Sequence, residues 1–165
     1  MSNDVERGSG LVPVTYHQLH ISDEDGPAAP DVDRRDNGLI QVSEGEITVM
    51  TGIGDVDVTV TLHEAEPAPA DEDWQEIVEI SAHSASGELM VRAMMDDLDE
   101  ELPVLSFNGP GDYRLRVHAR GRDTAVDLAP DEVTEWYLIQ AWPAPARDVA
   151  VLRQSDTYGA SVHAR

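Results

Sequence analysis

Between residues 55 and 63 the chain alternates without a slip. Val56, Val58, Val60 and Leu62 fall on one side, and Asp55, Asp57, Thr59, Thr61 and His63 on the other. A repeat of two positions is that of a β-strand with one face on a core and the other in water, whereas a helix scatters these residues around its axis. Residues 112–120 repeat the pattern, with Tyr113, Leu115, Val117 and Ala119 opposite Arg114, Arg116, His118 and Arg120. A chain carrying two such segments is committed to sheets.

Further strand signals, rich in β-branched, aromatic and apolar residues, cover 12–21, 39–42, 46–51, 74–82, 88–94, 104–107, 134–142 and, as a short edge strand, 148–154. Turn chemistry separates them. Ser43-Glu44-Gly45 and the stretch from His83 to Gly87 suggest hairpins, and Asn108-Gly109-Pro110-Gly111 a tight turn. Residues 23–38 and the proline-acid stretch 64–73 read as loops, and Asp131-Glu132 after Pro130 could open one helical turn. The expected fold is all-β, an antiparallel β-sandwich of about eight to ten short strands, with a small β-barrel as the alternative.

The length of 165 residues suits one domain. The expected organisation is a disordered segment over 1–10, a single β-sandwich domain over 11–155 and a loose tail over 156–165. The chain has no cysteine, which excludes disulfides, thiolate-bound metals and a thiol nucleophile. No apolar run approaches the ~18 residues of a membrane span, and the first residues lack a secretory signal. A cytoplasmic protein with no membrane partner is the expectation.

Charge is the second constraint. Thirty-three carboxylates face 11 basic residues, all of them Arg, for a net charge of −22. Spread over an accessible surface of ~8,000 Å², each acid would have roughly 240 Å². That spacing of about 15 Å exceeds the ~8 Å Debye length at physiological salt, so only clusters generate a strong field. Three are visible: Asp23-Glu24-Asp25, Asp71-Glu72-Asp73, and Asp96-Asp97 with Asp99-Glu100-Glu101. Direct nucleic-acid binding is disfavoured, since phosphate recognition needs a cationic footprint. A basic protein is the favoured partner.

Motifs for chemistry are weak. His17 and His20 fall on opposite faces of a strand, no H-E-x-x-H occurs, and His63, His83, His118 and His163 read as surface residues. Asp23-Glu24-Asp25-Gly26 lacks the register of a calcium loop. No G-x-S-x-G is present, and without Lys there is no phosphate-binding Walker loop. No enzyme, catalytic residue, cofactor or metal site is therefore expected. Arg114, Arg116 and Arg120 form a candidate anion stripe, with side chains about 6.6 Å apart where they alternate. The competing reading is a solvated sheet face whose guanidinium groups pair with cross-strand acids such as Glu135. Trp136, Leu138 and Trp142 read as core.

The stretch Gly111-Asp112-Tyr113-Arg114-Leu115-Arg116-Val117, with Leu138-Ile139-Gln140-Ala141-Trp142-Pro143, resembles actinobacterial β-sandwich proteins. With Tyr16-His17-Gln18, a Gly-Leu-Ile strand and the valine-rich strand, the layout from Val12 to Pro143 is more distantly similar to the competence protein J family. That family is associated with inhibition of a DNA-entry nuclease. The resemblance implies a β-sandwich that binds a protein, and it assigns no inhibitory residue.

The leading expectation is thus a non-enzymatic acidic β-sandwich binding a basic protein, such as a nuclease, in an inhibitor or immunity-type role. Candidate contact residues are Asp96, Asp97, Asp99, Glu100 and Glu101, then Asp71, Glu72 and Asp73. One alternative is a structural or interaction module whose acidity serves only solubility or salt adaptation. The other is a small-ligand or metal-binding sandwich.

Overall fold

The computed structural model describes residues 4–14, 18–22, 40–43, 46–50, 54–67, 74–93, 104–121, 135–145 and 150–154. These contain ten strands and no helix. The strands are β1 (Asp4–Val14), β2 (Gln18–Ser22), β3 (Ile40–Ser43), β4 (Glu46–Met50), β5 (Gly54–His63), β6 (Glu76–Ser84), β7 (Met90–Ala93), β8 (Gly111–Arg120), β9 (Trp136–Pro143) and β10 (Ala150–Gln154). They make two open sheets, one of six strands in the order β1-β5-β9-β8-β6-β10 and one of four in the order β3-β4-β2-β7. Neither closes into a barrel.

The alternation of β5 becomes one wall of the core. Val78, Val117, Ile139 and Val60 sit side by side across β6, β8, β9 and β5, and all four have 0% exposure. The next inward row is Ile80, Leu115, Ala141 and Leu62. From the smaller sheet, Ile47, Val49, Ile21 and Val91 join the same buried cluster, so both sheets close on one interior. Burying such side chains is worth about 1.5–3 kcal/mol each.

Five sequence expectations change. Strand pairing is not wholly antiparallel, because β5 and β9 run parallel, with Val60 beside Ile139. Residues 12–21 are not one strand: β1 ends at Val14 in the larger sheet and β2 starts at Gln18 in the smaller. β1 itself begins at Asp4, where pairing with β5 supplies backbone partners to a glycine- and serine-bearing segment with few apolar side chains. β6 and β7 do not form a hairpin, since each belongs to a different sheet. Leu89, fully buried, carries the chain across; its N–H donates to Ser106 Oγ and its carbonyl accepts from Leu105 N–H. Residues 104–107 therefore brace this crossing instead of forming a ladder strand.

The hairpin of β3 and β4 forms as expected, and β10 is an edge strand of the larger sheet. Among the described residues, no helix is long and apolar enough to cross a membrane. The loop 23–38, the helical turn at Asp131-Glu132 and the tail 156–165 lie outside the described residues.

Candidate functional site

The larger sheet has a second buried face. Its rows alternate with the apolar ones: Glu79, Arg116, Gln140 and Thr61 in one, Ile77, His118, Leu138 and Thr59 in the next, and Ser81, Arg114 and Trp142 at one end. In place of a solvated surface, Arg114 is 1% and Arg116 2% exposed. The cover comes from the chain that leaves β5 and enters β6. Pro67 and Trp74 are both buried, and each is held by this face.

Glu79 is the hub of the layer. Its Oε1 accepts from Arg114 Nε at 3.2 Å and its Oε2 from Arg116 Nε at 2.9 Å. Burial pushes its pKa up, but the hydrogen bonds from Arg116 and Arg114 outweigh that and hold the carboxyl below its ordinary value. Arg114 Nη1 also donates to Ser81 Oγ. Arg116 Nη1 reaches Gln140 Oε1 and the Pro67 carbonyl, both at 3.1 Å, while the guanidinium lies over the Trp142 ring. The exposed Glu66 carboxylate stands 3.9 Å from Arg116 Nη2. The cross-strand acid that pairs with these arginines is Glu79; the Glu135 carboxylate accepts the Tyr137 hydroxyl at 2.5 Å instead.

His118 continues the layer with 0% exposure, against the expectation of a surface residue. Its Nδ1 lies 3.0 Å from the Leu138 carbonyl, which fixes the proton there in the neutral ring. Nε2 is buried without a hydrogen-bond partner, and the Trp74 ring packs at 5.3 Å. Burial first, then the neighbouring Arg116 charge, pushes its pKa down to about 4. His63 is buried as well, bonded to Thr61 through Nε2, whereas His83 is exposed and paired with Asp112 at 2.8 Å. No cluster of three or more His and acid residues able to hold a metal occurs among the described residues.

Of the candidate anion stripe, Arg114 and Arg116 are thus committed to Glu79, and Arg120 stands apart at the end of β8. Trp136 and Leu138 are half-buried on the outer face, and Trp142 is buried there, outside the core between the sheets. The acidic candidates Asp71, Glu72, Asp73, Asp96, Asp97, Asp99, Glu100 and Glu101, together with the weak calcium-loop match at Asp23-Glu24-Asp25-Gly26, lie outside the described residues. The covered outer face was missed from sequence. The structure shows it in β6, where an almost unbroken run of residues is buried rather than every other one, as in strands packed on both sides; the hint in the sequence was Glu79, a lone acid between Val78 and Ile80.

No protein-family model matches the sequence, and no curated protein does. Two solved structures share the fold. One is ComJ from Bacillus subtilis, an inhibitor of the DNA-degrading activity of NucA. It is 18% identical, with a TM-score of 0.56 over 87% of this chain and 99% of that one. The other is the protein of crocagin biosynthetic gene J, 15% identical, with a TM-score of 0.57 over 85% of this chain and 98% of that one. The chain has a ComJ-like all-β fold.

Proposed function

We propose that the protein is a non-enzymatic binding protein whose acidic surface engages a basic protein, with a nuclease as the class of partner. The observation that supports this most is the likeness to ComJ along nearly the whole of both chains, ComJ being an inhibitor of NucA. Charge supports it too. The net charge is −22, and the burial of Arg114 and Arg116 against Glu79 withdraws two cations from the surface. Glu64 and Glu66 remain exposed, Glu66 at 3.9 Å from Arg116 Nη2.

In this reading Asp96, Asp97, Asp99, Glu100 and Glu101 are the main contacts, with Asp71, Glu72 and Asp73 second. Carboxylates crowded in a loop approach the spacing of backbone phosphates, so they fill a cationic groove, speed encounter and exclude the nucleic acid. Asp73 directly precedes Trp74, whose ring is seated on the outer face.

The test is affinity capture from host extract at low ionic strength with stepwise salt elution, followed by a DNA-degradation assay on whatever elutes. A basic nuclease that leaves with modest salt and is slowed by the protein supports the reading. Recovery of no basic protein overturns it. A melting temperature that climbs with salt in the partner-free protein would instead favour acidity as a solubility or salt adaptation.

A further inference from the structure

One cation of the outer face has no anion among the described residues. Arg120 closes β8, and its guanidinium lies over two indole rings, 5.2 Å from the Trp74 centroid and 5.1 Å from that of Trp136. Its Nε is buried without a hydrogen-bond acceptor, and no hydrogen bond or ion pair joins its terminal nitrogens to any described residue. The side chain as a whole is half-buried. In a chain where acids outnumber arginines threefold, this is the reverse of what chance pairing gives.

The surroundings are built. Trp74 is fixed between Arg120 and the buried His118. Gln75 ties β6 to the end of β8 twice, its N–H donating to the Ala119 carbonyl and its Oε1 accepting from Gly121 N–H at 2.8 Å. Among the described residues the cation is held in place without being neutralised: indole faces attract a guanidinium but offer it no acceptor. A fixed planar fork of N–H donors is complementary to a planar, two-oxygen anion.

We propose that Arg120, seated on Trp74 and Trp136, is a binding site for a carboxylate group, brought either by a free carboxylic acid or by an acidic side chain of a partner. A singly charged carboxylate suits the site better than a phosphate, because the protein's strongly negative field penalises each added negative charge. This reading does not depend on the proposed inhibitor role, which rests on the chain's own acids.

The experiment is a titration of the full-length, ¹⁵N-labelled protein, following the Arg120 Nε–H resonance, assigned by its loss in Arg120→Lys. Acetate and a capped glutamate-containing peptide are the two carboxylate probes, with chloride and phosphate as controls at matched ionic strength. The expected result is a saturable shift at millimolar carboxylate, the affinity range of a single charge-assisted contact. A larger response to the peptide assigns the source to a partner chain, and equal responses assign the site to the carboxylate group itself. Arg120→Lys keeps the charge but loses the fork, so the accompanying change in tryptophan fluorescence should disappear while the circular-dichroism spectrum stays the same. No saturable shift, or the same shift with phosphate or chloride, overturns the proposal.

Discussion

Arg116 donates its Nε–H to Glu79 Oε2 at 2.9 Å across neighbouring strands, and at 2% and 5% exposure both residues are buried. The same carboxylate accepts Arg114 through its other oxygen, so one acid orders two guanidinium groups on the face that Pro67 and Trp74 cover. Buried ion pairs add little net stability over apolar packing of the same shape, yet removing one member is costly because a desolvated charge is left behind. Glu79→Gln is therefore expected to lower the unfolding free energy by about 3–5 kcal/mol, read as a drop in the urea midpoint with an unchanged slope. Replacing the set together, as Glu79→Leu with Arg114→Met and Arg116→Met, should recover most of the loss. A drop below about 1 kcal/mol for Glu79→Gln would mean that water solvates the layer after all.

How far the sequence disclosed this layer depends on which residue is asked. Val56, Val58, Val60 and Leu62 pointed inward, as their spacing required, because a period of two records which side chains share a face. It does not record what lies over the other face. Arg114, Arg116 and His118 looked solvated because they are polar, yet Pro67 and Trp74, close in sequence to β5 and β6, fold back over them. Glu79 stood alone between Val78 and Ile80 and was the available hint. The parallel pairing of β5 with β9 had no local signature, since the partners are far apart in the chain.

His118 makes the fold sensitive to acid. The ring faces Trp74, with Arg116 and Glu79 as charged neighbours on its sheet, and its pKa falls from 6.5 unfolded to about 4 folded. The native state thus prefers the neutral ring. Its contribution is complete above pH 6.5 and is lost as the pH drops toward 4, because the unfolded chain takes up the proton first. Over that window the loss is on the order of 3 kcal/mol, at about 1.4 kcal/mol per pKa unit. Glu79, held below 4.5, adds a further loss at lower pH. In His118→Gln the difference in unfolding free energy between pH 7 and pH 4.5 should shrink; an unchanged difference would rule out His118 as the responsible group.

Tyr113 ties the turn before β8 to the strand. Its hydroxyl donates to the Gly109 carbonyl at 2.6 Å and accepts from the Asn108 N–H at 3.0 Å. Tyr113→Phe keeps the buried ring and removes both bonds. The expected cost is about 1 kcal/mol, since the two backbone groups lie near enough to solvent to find water. Faster hydrogen exchange at the Asn108 amide, with strand amides of β8 unaffected, would locate the effect in the turn.

Two glycines of the same region separate backbone strain from crowding. Gly109 has φ of +89° and open space where a Cβ would stand, so Gly109→Ala bears only the cost of a conformation that L-residues avoid, about 1–2 kcal/mol. Gly87 has φ of +82°, but its Cβ would meet Pro110 Cδ at 3.2 Å and Pro110 N at 3.4 Å. Gly87→Ala carries the same backbone cost and must also displace a rigid proline ring. Its melting temperature should therefore fall below that of Gly109→Ala. Gly109→Asn should lie closest to the parent, because asparagine tolerates positive φ better than alanine. If the two alanine variants melt together, the Pro110 contact yields without cost and the crossing from β6 to β7 is softer than its packing implies.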